Sequence, residues 1–263
     1  MPTALITGAS SGIGLEIASA AARDGHDLVL VSRNRERLES VGRGLVEHYG
    51  VRVSVIARDL ADSGAPAELE AELSRRGIAV DVLVNNAGIG VYGFFAKTSI
   101  EDEARMIEVN VVALTRLTKA FLKGMLERRS GRVLNVASTA AFQPGPIMAV
   151  YYATKAYVLS FSEALASETA GTGVTVTTLC PGPTVTEFQG RAGFRSLLDL
   201  RSPLVSSAAE VARAGWDGMK RGRRLVMPGL VNKILVQVER VVPRRLVTAA
   251  TRRVQESRGG ADR

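Results

Sequence analysis

The sequence predicts an α/β fold, a single domain on a doubly wound parallel sheet of about seven strands with helices on both faces. Three observations predict it. Short apolar runs alternate with longer helical segments, a Gly-rich turn occupies the first strand-to-helix junction, and 263 residues suffice to bury one ample core. In order, the strand-like runs fall at about 3–7, 27–32, 52–57, 81–84, 131–137, 174–179 and 224–227. The first ends in Thr7, and the Ala-rich residues 13–23 after it carry the pattern of a helix. The second precedes a helix expected over 36–49, the fifth ends just before Ser138, and the small and apolar residues 148–169 suit a helix ahead of the sixth. Residues 1–228 then form the domain, with a substrate lid at about 184–205, and 229–263 form an extension.

The Gly-rich turn is Thr7-Gly8-Ala9-Ser10-Ser11-Gly12-Ile13-Gly14. Gly8 allows a tight turn, Gly12 lets backbone N–H groups approach a pyrophosphate, and Gly14 permits close packing, with the anion at a helix N-terminus. Ser10, Ser11 and Ile13 join the expected cofactor contacts. A strand-to-helix setting of this kind is the mark of a Rossmann-type dinucleotide site, here with GxxxGxG spacing.

A second constellation specifies a chemistry. Tyr151 and Lys155 are four residues apart, hence adjacent on one face of the expected helix, and Ser138 lies thirteen residues upstream of Tyr151. A free phenol titrates near ~10, so Tyr151 becomes a useful acid or base only beside a cation, which Lys155 supplies. Tyr151 would donate a proton to a carbonyl oxygen while Ser138 hydrogen-bonds that oxygen, which is hydride transfer to or from a carbonyl. Tyr152 points about 100° away around the helix and is read as packing.

With these motifs the chain resembles the short-chain dehydrogenase/reductase family over roughly residues 2–228. TGASSGIG matches the family's cofactor loop, Asn85-Asn86-Ala87-Gly88 its mid-sheet motif, Asn110 its helix asparagine, and Ser138, Tyr151 and Lys155 its catalytic set. The resemblance implies that Lys155 holds ribose hydroxyls and that Asn110 anchors a water for proton return. It assigns Asp59, with Leu60, to the adenine end, and Pro181, Gly182, Thr184 and Thr186 to the nicotinamide end. For Asp59 a helix-capping role competes with that assignment. It also implies a homodimer or homotetramer, with the helices after Ser99 and from Met148 pairing between subunits.

Cofactor choice turns on Ser32-Arg33-Asn34-Arg35 after the second strand. No carboxylate is present to accept from a ribose 2′-OH, and the Arg33 guanidinium can pair with a 2′-phosphate, so NADP(H) is expected over NAD(H). The competing reading makes Arg33 and Arg35 the solvated start of the next helix.

Net charge is +8, but residues 220–263 hold twelve Lys or Arg against three Asp or Glu, +9, leaving 22 basic and 23 acidic groups, −1, for residues 1–219. Within that tail Leu230, Val231, Ile234, Leu235, Val238, Val241 and Val242 recur at helical spacing until Pro243, the expected end or kink. Residues 229–250 form a basic amphipathic segment that fits an anionic membrane surface and equally fits docking on the domain or on a second subunit, with a disordered end after Arg252. It is too interrupted to span a bilayer, and without aromatics it argues against nucleic acid. No charged-then-apolar leader precedes the first strand, so the expected compartment is the cytoplasm, with peripheral membrane contact as the variant. The one cysteine, Cys180, is expected to be buried, His26 and His48 to be solvated at helix ends, and no metal site to form.

The segments expected around the substrate are apolar: Val91, Tyr92, Phe94 and Phe95, then Phe142 and Ile147, then Phe188, Phe194, Leu197 and Leu198. They point to a hydrophobic ketone, a fatty acyl chain or a steroid-like ring system, with Arg191, Arg195 and Arg201 available to the phosphates of an acyl carrier. Two functions remain open: an NADP(H)-dependent carbonyl reductase or alcohol dehydrogenase, or a non-catalytic NADP(H)-binding scaffold acting through its basic tail.

Overall fold

The computed structural model describes residues 1–193 and 204–259. Its strands are β1 (Thr3–Thr7), β2 (Asp27–Ser32), β3 (Val53–Ala57), β4 (Val82–Asn85), β5 (Gly131–Val136), β6 (Val174–Leu179), β7 (Thr184–Val185), β8 (Ser206–Ser207) and β9 (Leu225–Val226). Seven of them form one parallel sheet in the order β3-β2-β1-β4-β5-β6-β9, while β7 and β8 make a small parallel pair that the sequence did not announce. The strand order reverses between β1 and β4, where a doubly wound sheet opens its ligand crevice.

The strands read as continuous apolar runs because both faces are covered. Ala4 and Ile6 of β1 face a core shared with Ile17, Leu38 and Trp216, whereas Leu5 faces one shared with Leu69, Leu117 and Val133. The first core is closed by α1 (Gly12–Arg23), α2 (Arg35–Tyr49) and α8 (Ala208–Lys220). The second is closed by α3 (Ala65–Arg75), α5 (Leu114–Glu127) and α6 (Ala149–Glu168). Between β4 and α5, α4 (Ile100–Ile107) continues through a π-helical turn, Glu108–Ala113. Short α7 (Phe188–Arg191) follows β7, and α9 (Leu230–Glu239) and α10 (Arg244–Gly259) follow β9.

Caps account for several boundaries. The Asn34 side chain accepts from the Arg37 N–H at 2.8 Å to start α2, and Gly50 ends it with φ +69°, where a side chain would be strained. Ser207 and Glu210 form a reciprocal capping box on α8. Trp216 of α8, fully buried, donates from Nε1 to Asp24 at 2.8 Å, and Lys220 reaches the same carboxylate at 2.6 Å. Contrary to expectation, His26 is half-buried, its ring packed edge-on against Trp216, and that burial lowers its pKa. His48 is exposed and Cys180 buried, as expected.

One polar network crosses the second core. The Asn85 carboxamide donates at 2.9 Å to both Thr118 Oγ1 and Asn135 Oδ1, and Asn135 donates at 2.9 Å to Ser162 Oγ. It ties β4 and β5 to α5 and to α6, the helix that carries Tyr151 and Lys155. Removing one member strands a buried partner, so Asn135→Ala should destabilise by about 1–3 kcal/mol in urea unfolding. An unchanged midpoint would mean that water replaces the lost bonds.

Candidate active site

A cleft of about 1410 Å³ runs along the carboxyl ends of the central strands. At its polar end lies the Gly turn. Gly8, at φ +67°, donates its N–H to Val31 O at 2.8 Å, and Gly12 is also left-handed at φ +57°. A Cβ on Gly14 would fall 2.3 Å from Gly8 O, and one on Gly8 would fall 2.8 Å from Asn86 Nδ2. That close approach is held by the Asn86 amide, which donates to Thr7 O at 2.9 Å and Gly8 O at 3.2 Å. The N–H groups of Asn86 and Ala87 both reach Thr7 Oγ1 at 3.0 Å. Ser11 N-caps α1 with no side-chain cap, which leaves the first-turn amides for an anion. Ser10, Ser11, Gly12 and Ile13 line the cleft, so the cradle fits a dinucleotide pyrophosphate.

At the end of β2, Ser32 donates to Ser10 at 3.0 Å. Arg33 is exposed at the cleft and forms no ion pair among the described residues. Arg37, which the sequence reading passed over, spans the cleft wall and meets Glu187 through two bonds of 2.8 and 3.1 Å. Asp59 and Leu60 line the same end. Asp59 caps nothing: α3 has no side-chain cap, and the carboxylate accepts from Ala61 N–H at 3.0 Å and pairs with Arg105. Burial would raise its pKa, but these bonds and the nearby Arg33 charge hold it below the usual carboxylate range.

The second constellation assembles where β5 ends. Ser138 lies two residues past Val136 and N-caps a short turn, accepting from Ala140 N–H at 3.1 Å. From α6, Lys155 drives its ammonium into the fold and donates to Val136 O at 2.9 Å, with Nζ 5.8 Å from the Tyr151 ring centre. Burial brings its pKa down to about 8, opposed by Cys180. Part of the Tyr151 ring faces the open cleft, yet its hydroxyl lies deep and burial raises its pKa, against a hydrogen bond with Ser138 that lowers it. Asn110 sits in the π-helical turn, a geometry that recurs at functional sites. Its amide donates to Ile89 O at 2.9 Å and Thr154 Oγ1 at 3.1 Å and its oxygen accepts from Ile89 N–H at 2.9 Å, locking the loop after β4 to α6. Ala87 and Gly88 lie on that loop, and a Cβ on Gly88 would be 3.4 Å from both Asn110 and Lys155. Pro181, Gly182, Thr184 and Thr186 complete the wall. Of the expected site residues, only Gly14 and Asn110 stand behind the cleft surface and support it.

The apolar end differs from expectation. Val91, Tyr92 and Phe188 line it, but Phe94 and Phe95 do not, and Phe95 is exposed. Phe142 packs in a core cluster with Val236, and Ile147 is buried at φ +72°, its carbonyl held by Gly93 N–H at 2.9 Å. Phe194, Arg195, Leu197, Leu198 and Arg201 lie outside the described residues, as does the middle of the 184–205 segment and the side chain of Arg191. Among the described residues, Leu235 and Val236 of α9, Val242 of the turn after it and Val247 of α10 line this end of the cleft. The segment after Arg252 remains helical to Gly259 rather than disordered. Gln255, 2% exposed, donates to Tyr152 Oη at 2.7 Å and accepts from Tyr92 Oη at 2.6 Å, and Thr251 donates to Gln143 at 3.0 Å. Tyr152 packs, as expected, and also tethers this helix. Sequence reasoning missed Thr251 and Gln255, although Val247, Thr251 and Gln255 at four-residue spacing mark one inward face.

A family profile described as short chain dehydrogenase matches residues 2–193. A very-long-chain 3-oxoacyl-CoA reductase of Anas platyrhynchos is 35% identical over 68% of this chain, which spans 58% of that reductase. Among solved structures, a short-chain dehydrogenase from Sphingobium yanoikuyae in complex with NADPH is 34% identical with a TM-score of 0.81, covering 92% of this chain and 96% of that one. The bulky-bulky ketone specific alcohol dehydrogenase of Comamonas testosteroni is 31% identical with a TM-score of 0.77, over 92% and 95% of the two chains.

The glycine cradle makes a direct prediction. Gly14→Ala forces a methyl against the Gly8 carbonyl, so NADPH affinity in a fluorescence titration should fall at least about tenfold and stability by about 1–3 kcal/mol. Gly44→Ala, with open space around it on α2, should leave affinity unchanged and stability equal or higher.

Proposed function

Since the chain belongs to the short-chain dehydrogenase family, oxidoreductases that interconvert CH–OH and C=O with a nicotinamide cofactor, we propose that it is an NADPH-dependent reductase of hydrophobic ketones or 3-oxoacyl-type substrates. The observation that carries this reading is the meeting of Ser138, Tyr151 and Lys155 at the junction of the dinucleotide cradle and an apolar chamber. When bound, the reduced dinucleotide supplies the hydride. The Tyr151 hydroxyl donates its proton to the carbonyl oxygen, and Ser138 holds that oxygen by a hydrogen bond. The Lys155 ammonium steadies the phenolate left behind and is placed to hold the ribose hydroxyls. Asn110 fixes the wall beside Lys155 and is the residue through which a water would return the proton.

NADP(H) is preferred in this reading because Arg33 makes no ion pair among the described residues and no Asp or Glu directly follows β2 in the chain to accept from a ribose 2′-OH. The substrate class follows from the walls: Val91, Leu235, Val236, Val242 and Val247 offer apolar contact and few polar anchors. The names of the reductase and the ketone-specific relative agree with it. Homo-oligomerisation is proposed through α4 and α6, where Ile107 and Tyr157 are exposed.

NADPH oxidation with a panel of hydrophobic ketones and 3-oxoacyl thioesters tests the reading. Tyr151→Phe should cut kcat by roughly 10²–10⁴-fold with NADPH affinity intact, and undiminished turnover would remove Tyr151 as the acid. Arg33→Asp should raise the KM for NADPH about 10–100-fold, the worth of a charge-assisted bond, with NADH turnover no worse. Faster wild-type turnover with NADH would overturn the role of Arg33.

The pH profile carries its own sign. Burial disfavours the charged form of Lys155, so the ammonium is lost as pH rises through about 8, well below a free lysine. kcat/KM for reduction should therefore be flat below that value and fall above it. A profile flat to pH ~10, the free-lysine range, would show that Lys155 keeps its proton.

A further inference from the structure

The outer face of α9 and α10 is apolar and basic at once. Leu230 is 72% exposed, Ile234 53% and Val241 82%, at helical spacing along one side of α9 and its C-terminal extension. Leu235, Val238, Leu246 and Val254 are exposed as well, and these four also line the active-site cleft. The exposed stripe is thus the rim of the chamber, and whatever covers the stripe sits against its mouth.

Charge selects the occupant. Lys233, Arg244, Arg245 and Arg253 project from the same two helices and Arg240 from the cap of α9, and none of the five makes an ion pair among the described residues. Residues 220–263 carry +9 against −1 for the rest. A second copy pairing through this face by a two-fold axis would set one cationic patch against another. An anionic lipid surface meets both requirements, since apolar side chains enter the headgroup boundary and cations lie among the headgroups. No described helix is long and apolar enough to cross a membrane, so the contact is one of lying on the surface. We propose that α9 and α10 dock the protein on an anionic bilayer, seating the cleft mouth on the lipid so that an apolar substrate enters from the membrane. The delivery half of this inference rests on the reductase reading, and the docking half does not.

The test is co-sedimentation of the full chain with vesicles of pure phosphatidylcholine and of phosphatidylcholine containing about one-third phosphatidylglycerol. The wild type should bind the anionic vesicles, release at high salt, and leave the neutral ones largely unbound. Arg244→Gln should weaken anionic binding roughly fivefold. Leu230→Asp/Val241→Asp, both exposed and outside the cleft, should weaken it more than about tenfold while turnover of a water-soluble ketone is unchanged and turnover of a vesicle-held long-chain ketone falls. Absence of anionic binding, or binding that ignores lipid charge and salt, overturns the proposal. So does a wild-type oligomer that the double variant dissociates without any vesicle binding, which would assign the face to a second copy. Failure of all turnover would sink the reductase reading and leave the vesicle result to decide docking alone.

Discussion

Lys155 holds its ammonium inside the fold, 2.9 Å from the Val136 carbonyl at the end of β5, and the rest of the site is arranged around that buried charge. A cation taken out of water needs partners, and the carboxyl edge of a parallel sheet offers carbonyls to meet it. Once Lys155 is anchored there, helical geometry sets Tyr151 one turn earlier on the same face of α6, and the chain leaving β5 presents Ser138 two residues after Val136. A Cβ added to Gly88 would fall 3.4 Å from the same ammonium, so there is little room for a larger residue beside it.

Around this centre the fold uses tethers that cross from one element to another. Asn86 holds the glycine turn to the loop after β4, Asn110 holds that loop to α6, and the Asn85–Asn135 pair joins the strands beneath them. Each is a carboxamide with both functions available, suited to linking two backbones or two side chains at once. They connect the glycine turn, the helix carrying Tyr151 and Lys155, and the sheet through hydrogen bonds between separate elements. The apolar wall of the cleft is built differently, from α9 and α10, and α10 is held to the body by Gln255 and Thr251.

Legibility in the sequence follows how local each signal is. The seven strands of the sheet and the i, i+4 pair Tyr151 and Lys155 are set by neighbours in the chain, and they emerged with boundaries shifted by a residue or so. The two-residue strands β7 and β8 were invisible because so short a run carries no period. The half-burial of His26 has no local signal, because its partner Trp216 lies 190 residues away in the chain and 5.2 Å away in space. Phe94 and Phe95, expected near the substrate from their place after a motif, lie outside the cleft lining, because position in a loop does not say which way a ring turns.

The amino-acid sequence alone determined the fold class, the glycine turn after β1 and the placing of Tyr151 and Lys155 on one helical face, since periodicity, glycine spacing and one helical turn are properties of short segments. Only the tertiary structure decided where helix α10 docks, which described residues line the apolar end of the cleft, and that Arg37 and Glu187 meet across it. Those outcomes depend on pairings between residues more than a hundred positions apart, such as Gln255 with Tyr152, whose energy exists only after the chain has folded.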